Sequence, residues 1–194
     1  MTSEQQEPAG SRLVYHPPST TDVEYWGPGV CLRFLATGKD TNGACTQVEN
    51  VVAPGGGPPA HLHQREDETW YVVEGRVAFR IGDITLLAQP GDYIRGPRGT
   101  AHVFQNVGEC TARVLITFVP SGIEHFFMEV FQPVGDRAGP PPAPPAELIA
   151  RMIQAAPRYG LEFFAMLPPP LESGAAIKPG FDAHAPTGPP DLQH

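Results

Sequence analysis

Cysteine is scarce: Cys31, Cys45 and Cys110 are the three in 194 residues, an odd number with no Cys-x-x-Cys pairing. That pattern argues against a disulfide framework and against a thiolate zinc site, and reads as three reduced, partly buried thiols. Basic residues are also in short supply, with 13 Lys and Arg against 21 Asp and Glu, giving a formal charge of -8. The two signs are interspersed, so no basic stripe is left to displace counterions from a phosphate backbone, and no nucleic-acid partner is expected. The N-terminus, MTSEQQEPAGSRLVYHPP, lacks a basic start followed by an apolar run. It reads as neither secretory signal nor membrane anchor, so no membrane association is expected and a cytoplasmic location is.

What the chain has in excess is turn-forming residues, 24 prolines and 21 glycines, beside a 41% hydrophobic content. One core fits this length, and the turn chemistry favours short strands over long helices, hence an all-β domain. Residues 1–22 read as a flexible N-terminal tail, 23–135 as a β barrel with a following helix, 136–165 as a linker and second helix, and 166–194 as a Pro/Gly-rich disordered tail. Between the tails, eight to ten turn-bounded strands are expected. VCLRFLATG and ACTQVENVVA should pair across Asn42-Gly43, and ETWYVVEGRVAFRIGD should give two strands folded about Glu74-Gly75. In the second of these, Val77, Phe79 and Ile81 are expected to be buried, and Arg76, Ala78 and Arg80 wet. Ser121 and Glu124 have capping-box spacing ahead of an apolar stripe of Ile123, Phe126, Phe127 and Val130. A second short helix, AELIARMIQAA, should end near Pro157 and Gly160 and dock Leu148, Ile149 and Met152 on the barrel or on a sister subunit.

His61 and His63, two apart on a strand, face one side and can reach a single ion. Glu68, five residues beyond His63, joins them only if Gln64-Arg65-Glu66-Asp67 contains a bulge or bend. His102 follows the turn PRGTA, which can aim it at the same point. Three imidazoles and a carboxylate suit iron, manganese, cobalt, nickel, copper or zinc rather than calcium or magnesium. The ordinary reading of a lone histidine is a surface or hydrogen-bonded side chain, and His16, His125, His184 and His194 are read so. On spacing alone, His61 and His63 leave both readings open.

The chain resembles the cupin superfamily, whose motifs are G-x5-H-x-H-x3,4-E-x6-G and G-x5-P-x-G-x2-H-x3-N. Gly55, His61, His63, Glu68 and Gly75 match the first, and Gly91, Pro97, Gly99, His102 and Asn106 the second. The resemblance covers about residues 28–120 and is strongest to single-cupin proteins of the quercetin 2,3-dioxygenase-like kind. It implies a double-stranded β-helix, a jelly-roll barrel, followed here by one or two short C-terminal helices. It also implies one divalent transition metal per chain on His61, His63, Glu68 and His102, with iron the first choice and manganese, nickel, cobalt, copper or zinc the alternatives. Asp67 fits the looser motif spacing as the carboxylate ligand, although the distance to Gly75 favours Glu68. Cupins commonly dimerise through barrel edges, so a homodimer is expected.

Strand alternation from the ligands predicts Trp70, Val72 and Phe104 near a cavity, with Phe79 and Phe118 less directly placed; simple core packing is the alternative for all five. Such a wall suits a small aromatic or enol/diketone-like substrate. The expected activity is metal-dependent dioxygenation, with Glu68 as ligand and base. An oxygen-independent isomerase, decarboxylase or cyclase and a non-catalytic small-molecule binder are the alternatives.

Overall fold

Alternation of buried and exposed side chains dictates the strands. In the computed structural model, which describes residues 13–15, 24–134 and 146–164, the chain runs β1 (Glu24–Gly27), β2 (Val30–Ala36), α1 (Gly38–Thr41), β3 (Thr46–Val52), β4 (His61–His63), β5 (Asp67–Glu74), β6 (Val77–Ile81), β7 (Ile84–Ala88), β8 (Tyr93–Gly96), β9 (His102–Asn106), β10 (Ala112–Val119), α2 (Glu124–Val130), β11 (Gln132–Pro133), α3 (Ala146–Ala155), a 3-10 turn (Ala156–Tyr159) and β12 (Leu161–Phe163). The tail expected over 166–194, the proline run at 139–145, and His16, His184 and His194 lie outside the described residues, as does all but 13–15 of the tail expected over 1–22.

Two antiparallel sheets enclose the core, one ordered β11-β1-β2-β3-β10-β5-β8 and the other β12-β4-β9-β6-β7. This is the expected jelly-roll barrel, with strands of period two turning one face inward. Thr46, Val48, Asn50 and Val52 of β3 and Ala112, Val114, Ile116 and Phe118 of β10 are the buried positions of two neighbouring strands. Trp70 and Phe79 fill the space between the sheets, each fully burying a large apolar side chain for about 1.5–3 kcal/mol.

β2 and β3 pair as expected, with Asn42 and Gly43 at φ 53° and 82° in the connection. The connection also holds α1, a single turn in which Asp40 accepts hydrogen bonds from the backbone N–H and hydroxyl of Thr37 at 3.0 and 2.7 Å. The strands flanking Glu74-Gly75 exist but do not pair. β5 joins β10 and β8, whereas β6 joins β7 and β9 in the other sheet. Gly75, at φ 89°, carries the chain between the sheets, where a Cβ would press on Ala112 at 2.6 Å. Ala78, expected on a wet face, is fully buried instead.

The capping box expected at Ser121 does not form. α2 starts at Glu124, whose carboxylate accepts from the Gly122 and Gly38 N–H groups at 2.7 and 2.8 Å and from the Thr46 hydroxyl. Glu124 therefore ties α2 to α1 and β3. The apolar stripe is real, with Ile123, Phe126 and Val130 buried. Asn106, the last residue of the second motif, is structural: its amide donates to the carbonyls of Val52 and Cys110 at 2.9 and 2.8 Å and accepts from Gly108 N–H at 2.9 Å.

α3 buries Leu148, Met152 and Ala155 against the barrel and ends just before Pro157, and Gly160 at φ 72° turns the chain into β12. That strand lies antiparallel on β4, with Leu161 opposite His63 and Phe163 opposite His61. Among the described residues no helix is long and apolar enough to cross a membrane.

Candidate metal centre

β4 is three residues long, and its outer two, His61 and His63, turn into the barrel. β9 begins at His102, directly opposite His61 in the register. The three imidazoles thus come from adjacent strands of the smaller sheet, and Glu68 reaches them from β5 of the larger one. One nitrogen or oxygen from each of the four lies within 4.8 Å of all the others. Of the bulge or bend expected between His63 and Glu68, the structure has the bend, and with it a change of sheet: β4 ends, the chain bends at Gln64 and Arg65, and β5 begins at Asp67.

Backbone carbonyls orient two of the rings. Pro59 O lies 2.8 Å from His61 Nδ1 and Thr100 O 2.9 Å from His102 Nδ1. A carbonyl only accepts, so Nδ1 carries the proton in both rings and Nε2 keeps its lone pair for an ion. His63 Nδ1 has a carboxylate beside it, with Glu66 Oε2 at 3.4 Å. On the other side, Glu68 Oε2 lies 3.1 Å from His63 Nε2 and 2.9 Å from His102 Nε2. None of these three atoms makes a well-directed hydrogen bond, although all are buried. Buried polar atoms of both kinds converging without partners are costly by themselves, and a shared cation would satisfy them together. The residues fit a divalent transition ion held by three neutral imidazoles and one carboxylate.

The four side chains are electrostatically coupled, and an ion would compete with protons for them. Burial, then the neighbouring His102 and His63, pushes His61 well below the usual histidine range. Burial opposes the charge of Glu68, but His102 and His63 beside it hold its carboxyl below the usual range. For His63, burial favours the neutral ring, yet the flanking carboxylates of Glu66 and Glu68 outweigh it and lift the ring to about 9. Asp67 stands outside the cluster. It accepts from Arg98 N–H and Nε at 2.9 and 3.2 Å and from Arg95 Nη2 at 2.8 Å, bonds that hold it at about 2, and it faces away from Glu68.

The site lies in the wall of an apolar cavity of about 50 Å³, which an organic ligand would enter only by moving wall side chains aside. Phe104 and Phe118 line it. Trp70, Val72 and Phe79 do not. They are fully buried behind the site, where the barrel is filled by side chains: the Trp70 ring packs 5.2 Å from His102 and 5.4 Å from Phe79. Met152, Leu161 and Phe163 contribute to the wall from the C-terminal segment, and the Phe163 ring sits 5.7 Å from His61. Met152 was expected to dock on the barrel, whereas Leu161 and Phe163 were not foreseen, nor were Glu66 and Asn50. Alternation in β3 was the available signal for Asn50, whereas a three-residue strand after a helix offers none.

Residues 49–120 match the family model for the cupin domain. The chain is 28% identical over 101 residues to quercetin 2,3-dioxygenase of Bacillus subtilis, covering 52% of this chain and 30% of that enzyme. It is 38% identical over 55 residues to an uncharacterised Streptomyces coelicolor protein, covering 28% of this chain and 51% of the relative. The chain thus spans about a third and about half of the curated relatives' lengths. Among solved structures, an RmlC-like cupin from Shewanella frigidimarina aligns with a TM-score of 0.51 at 19% identity, over 59% of this chain and 96% of that one. A protein from Thermotoga maritima described as a predicted oxalate decarboxylase aligns with a TM-score of 0.50 at 19% identity, over 56% and 99%. At such identities the solved structures speak for the barrel alone. With both motifs folded onto one buried site inside a two-sheet barrel, the chain carries a cupin domain over residues 49–120.

Proposed function

We propose that the protein is a metal-dependent dioxygenase acting on a small aromatic or enol/diketone-like molecule. The observation that carries this reading is the convergence of His61, His63, His102 and Glu68 on one point, with His61, His63 and Glu68 lining a cavity that is otherwise nearly all apolar. The ion, iron as first choice, would supply a Lewis-acidic and redox-capable centre for the substrate's oxygens. The similarity to part of a quercetin 2,3-dioxygenase supports the choice of chemistry.

The chain's own residues have three tasks in this scheme. The Pro59 and Thr100 carbonyls fix the rings of His61 and His102, so ligand geometry is set before substrate arrives. Phe104, Phe118 and Phe163 exclude water and pack against a flat carbon skeleton. Glu68, held ionised by its histidine neighbours, is the group placed to take the proton as the substrate passes to its enolate.

The test is oxygen uptake by the full chain, loaded separately with each redox metal and offered flavonols, β-diketones and thiols. Uptake dependent on metal and substrate supports the proposal; its absence with every metal overturns it. Turnover undiminished under strict anaerobiosis would instead favour an isomerase, decarboxylase or cyclase.

A further inference from the structure

Asn50 lies on β3, in the sheet facing the three histidines, and turns inward with Thr46, Val48 and Val52. It lines the same cavity as His61, His63 and Glu68, and no other polar side chain among the described lining residues lies outside the ligand set. The residue is 7% exposed, and its Oδ1 is buried without a hydrogen-bond partner. Its register neighbours are Leu32 on one side and Val114 on the other. An isosteric leucine there would complete an apolar wall and remove an unpaired polar atom. The amide is therefore poorly explained by packing and well explained by a ligand.

We infer that Asn50 is a specificity-determining residue that hydrogen-bonds an oxygen of the substrate distal to the atoms facing the metal ligands. This inference rests on the metal-enzyme reading and narrows its substrate class. The ligand is a compact metal-chelating enol or diketone with a further hydroxyl or carbonyl across the cavity. A side-chain amide offers both a donor and an acceptor, so it serves either group. An analogue lacking that oxygen leaves the amide unpaired and is rejected, because a site built to hydrogen-bond penalises the apolar isostere.

Two probes of matched size test this: triacetylmethane, with a third carbonyl, and diacetylmethane carrying an isopropyl group in its place. Affinities for both are measured by calorimetry on the full metal-loaded chain and on Asn50→Leu, with Asn50→Val as a second variant in case leucine disturbs folding. The expected result is a severalfold to tenfold preference of the native protein for triacetylmethane. In both variants that preference is lost, with metal content unchanged and Asn50→Leu at least as heat-stable as the native chain. Equal binding of the probes by the native protein, or a preference retained in the variants, overturns the inference and leaves the metal centre standing. Binding of neither probe by the loaded native chain overturns the proposed ligand class. Failure of the native chain to hold any metal strikes the underlying reading instead, and the inference falls with it.

Discussion

Asp67 and Glu68 are adjacent in sequence and face opposite sides of β5: Glu68 places Oε2 2.9 Å from His102 Nε2, while Asp67 accepts from Arg95 and Arg98 on the outer surface. Strand alternation forces this division, because neighbouring side chains cannot share a face. One carboxylate thereby joins the histidine cluster and the other holds the β8–β9 connection, through the Arg98 backbone.

Glu68→Gln should abolish stable metal binding, since it removes the only anionic member of the ligand set. Asp67→Asn should leave metal content unchanged and slightly loosen the Arg95–Arg98 surface. Elemental analysis of the two variants in parallel checks the pair. Equal metal loss in both would contradict the assignment.

Glu66 supports the centre without belonging to the four. Its Oε2 stands 3.4 Å from His63 Nδ1, where an outer carboxylate orients the ring and raises its basicity. Glu66→Gln should weaken metal affinity by about 10–100-fold, read by competition with a chelator. An unchanged affinity would show that His63 needs no such support.

Glu124 should give the fold an acid-sensitive component. Burial opposes its ionisation, but the Thr46 hydroxyl and the Gly38 and Gly122 amides hold its folded-state carboxyl below the ordinary 4.5. The unfolded state therefore takes up the proton first as pH falls. The stabilisation is complete above the unfolded value and is lost as pH drops through the folded one. Melting temperatures should fall more steeply below about pH 4.5 in the native chain than in Glu124→Gln. At neutral pH the variant should be destabilised by about 1–3 kcal/mol through its lost charged hydrogen bonds. Parallel melting curves against pH would contradict this role.

Met152, 3% exposed, connects α3 to the cavity wall. Met152→Ala should cost about 2–5 kcal/mol and enlarge the cavity, measurable as a lower denaturant midpoint at constant m-value. A change under about 0.5 kcal/mol, the scale of surface substitutions, would show that α3 is not part of the folded core.

The barrel and the ligands were legible because each is written locally: alternation gives the strands, and the spacings in the two motifs bring His61, His63, Glu68 and His102 together. What stayed hidden depended on which sheet each strand joins. Glu74-Gly75 has the residues of a hairpin turn, yet it is a crossing between sheets. Trp70, Val72 and Phe79 alternate correctly, but alternation separates inside from outside and says nothing of position along the barrel, so core and cavity wall look alike. Leu161 and Phe163 reach the site through a pairing with a strand almost a hundred residues earlier, for which no local pattern exists.

The central claim is that this chain holds a transition metal on His61, His63, Glu68 and His102, and elemental analysis of the native protein beside His63→Ala tests it most directly. The account predicts near one redox-active ion per native chain and none retained by the variant. A native chain that binds no metal after reconstitution, or a variant that keeps it, would contradict the account.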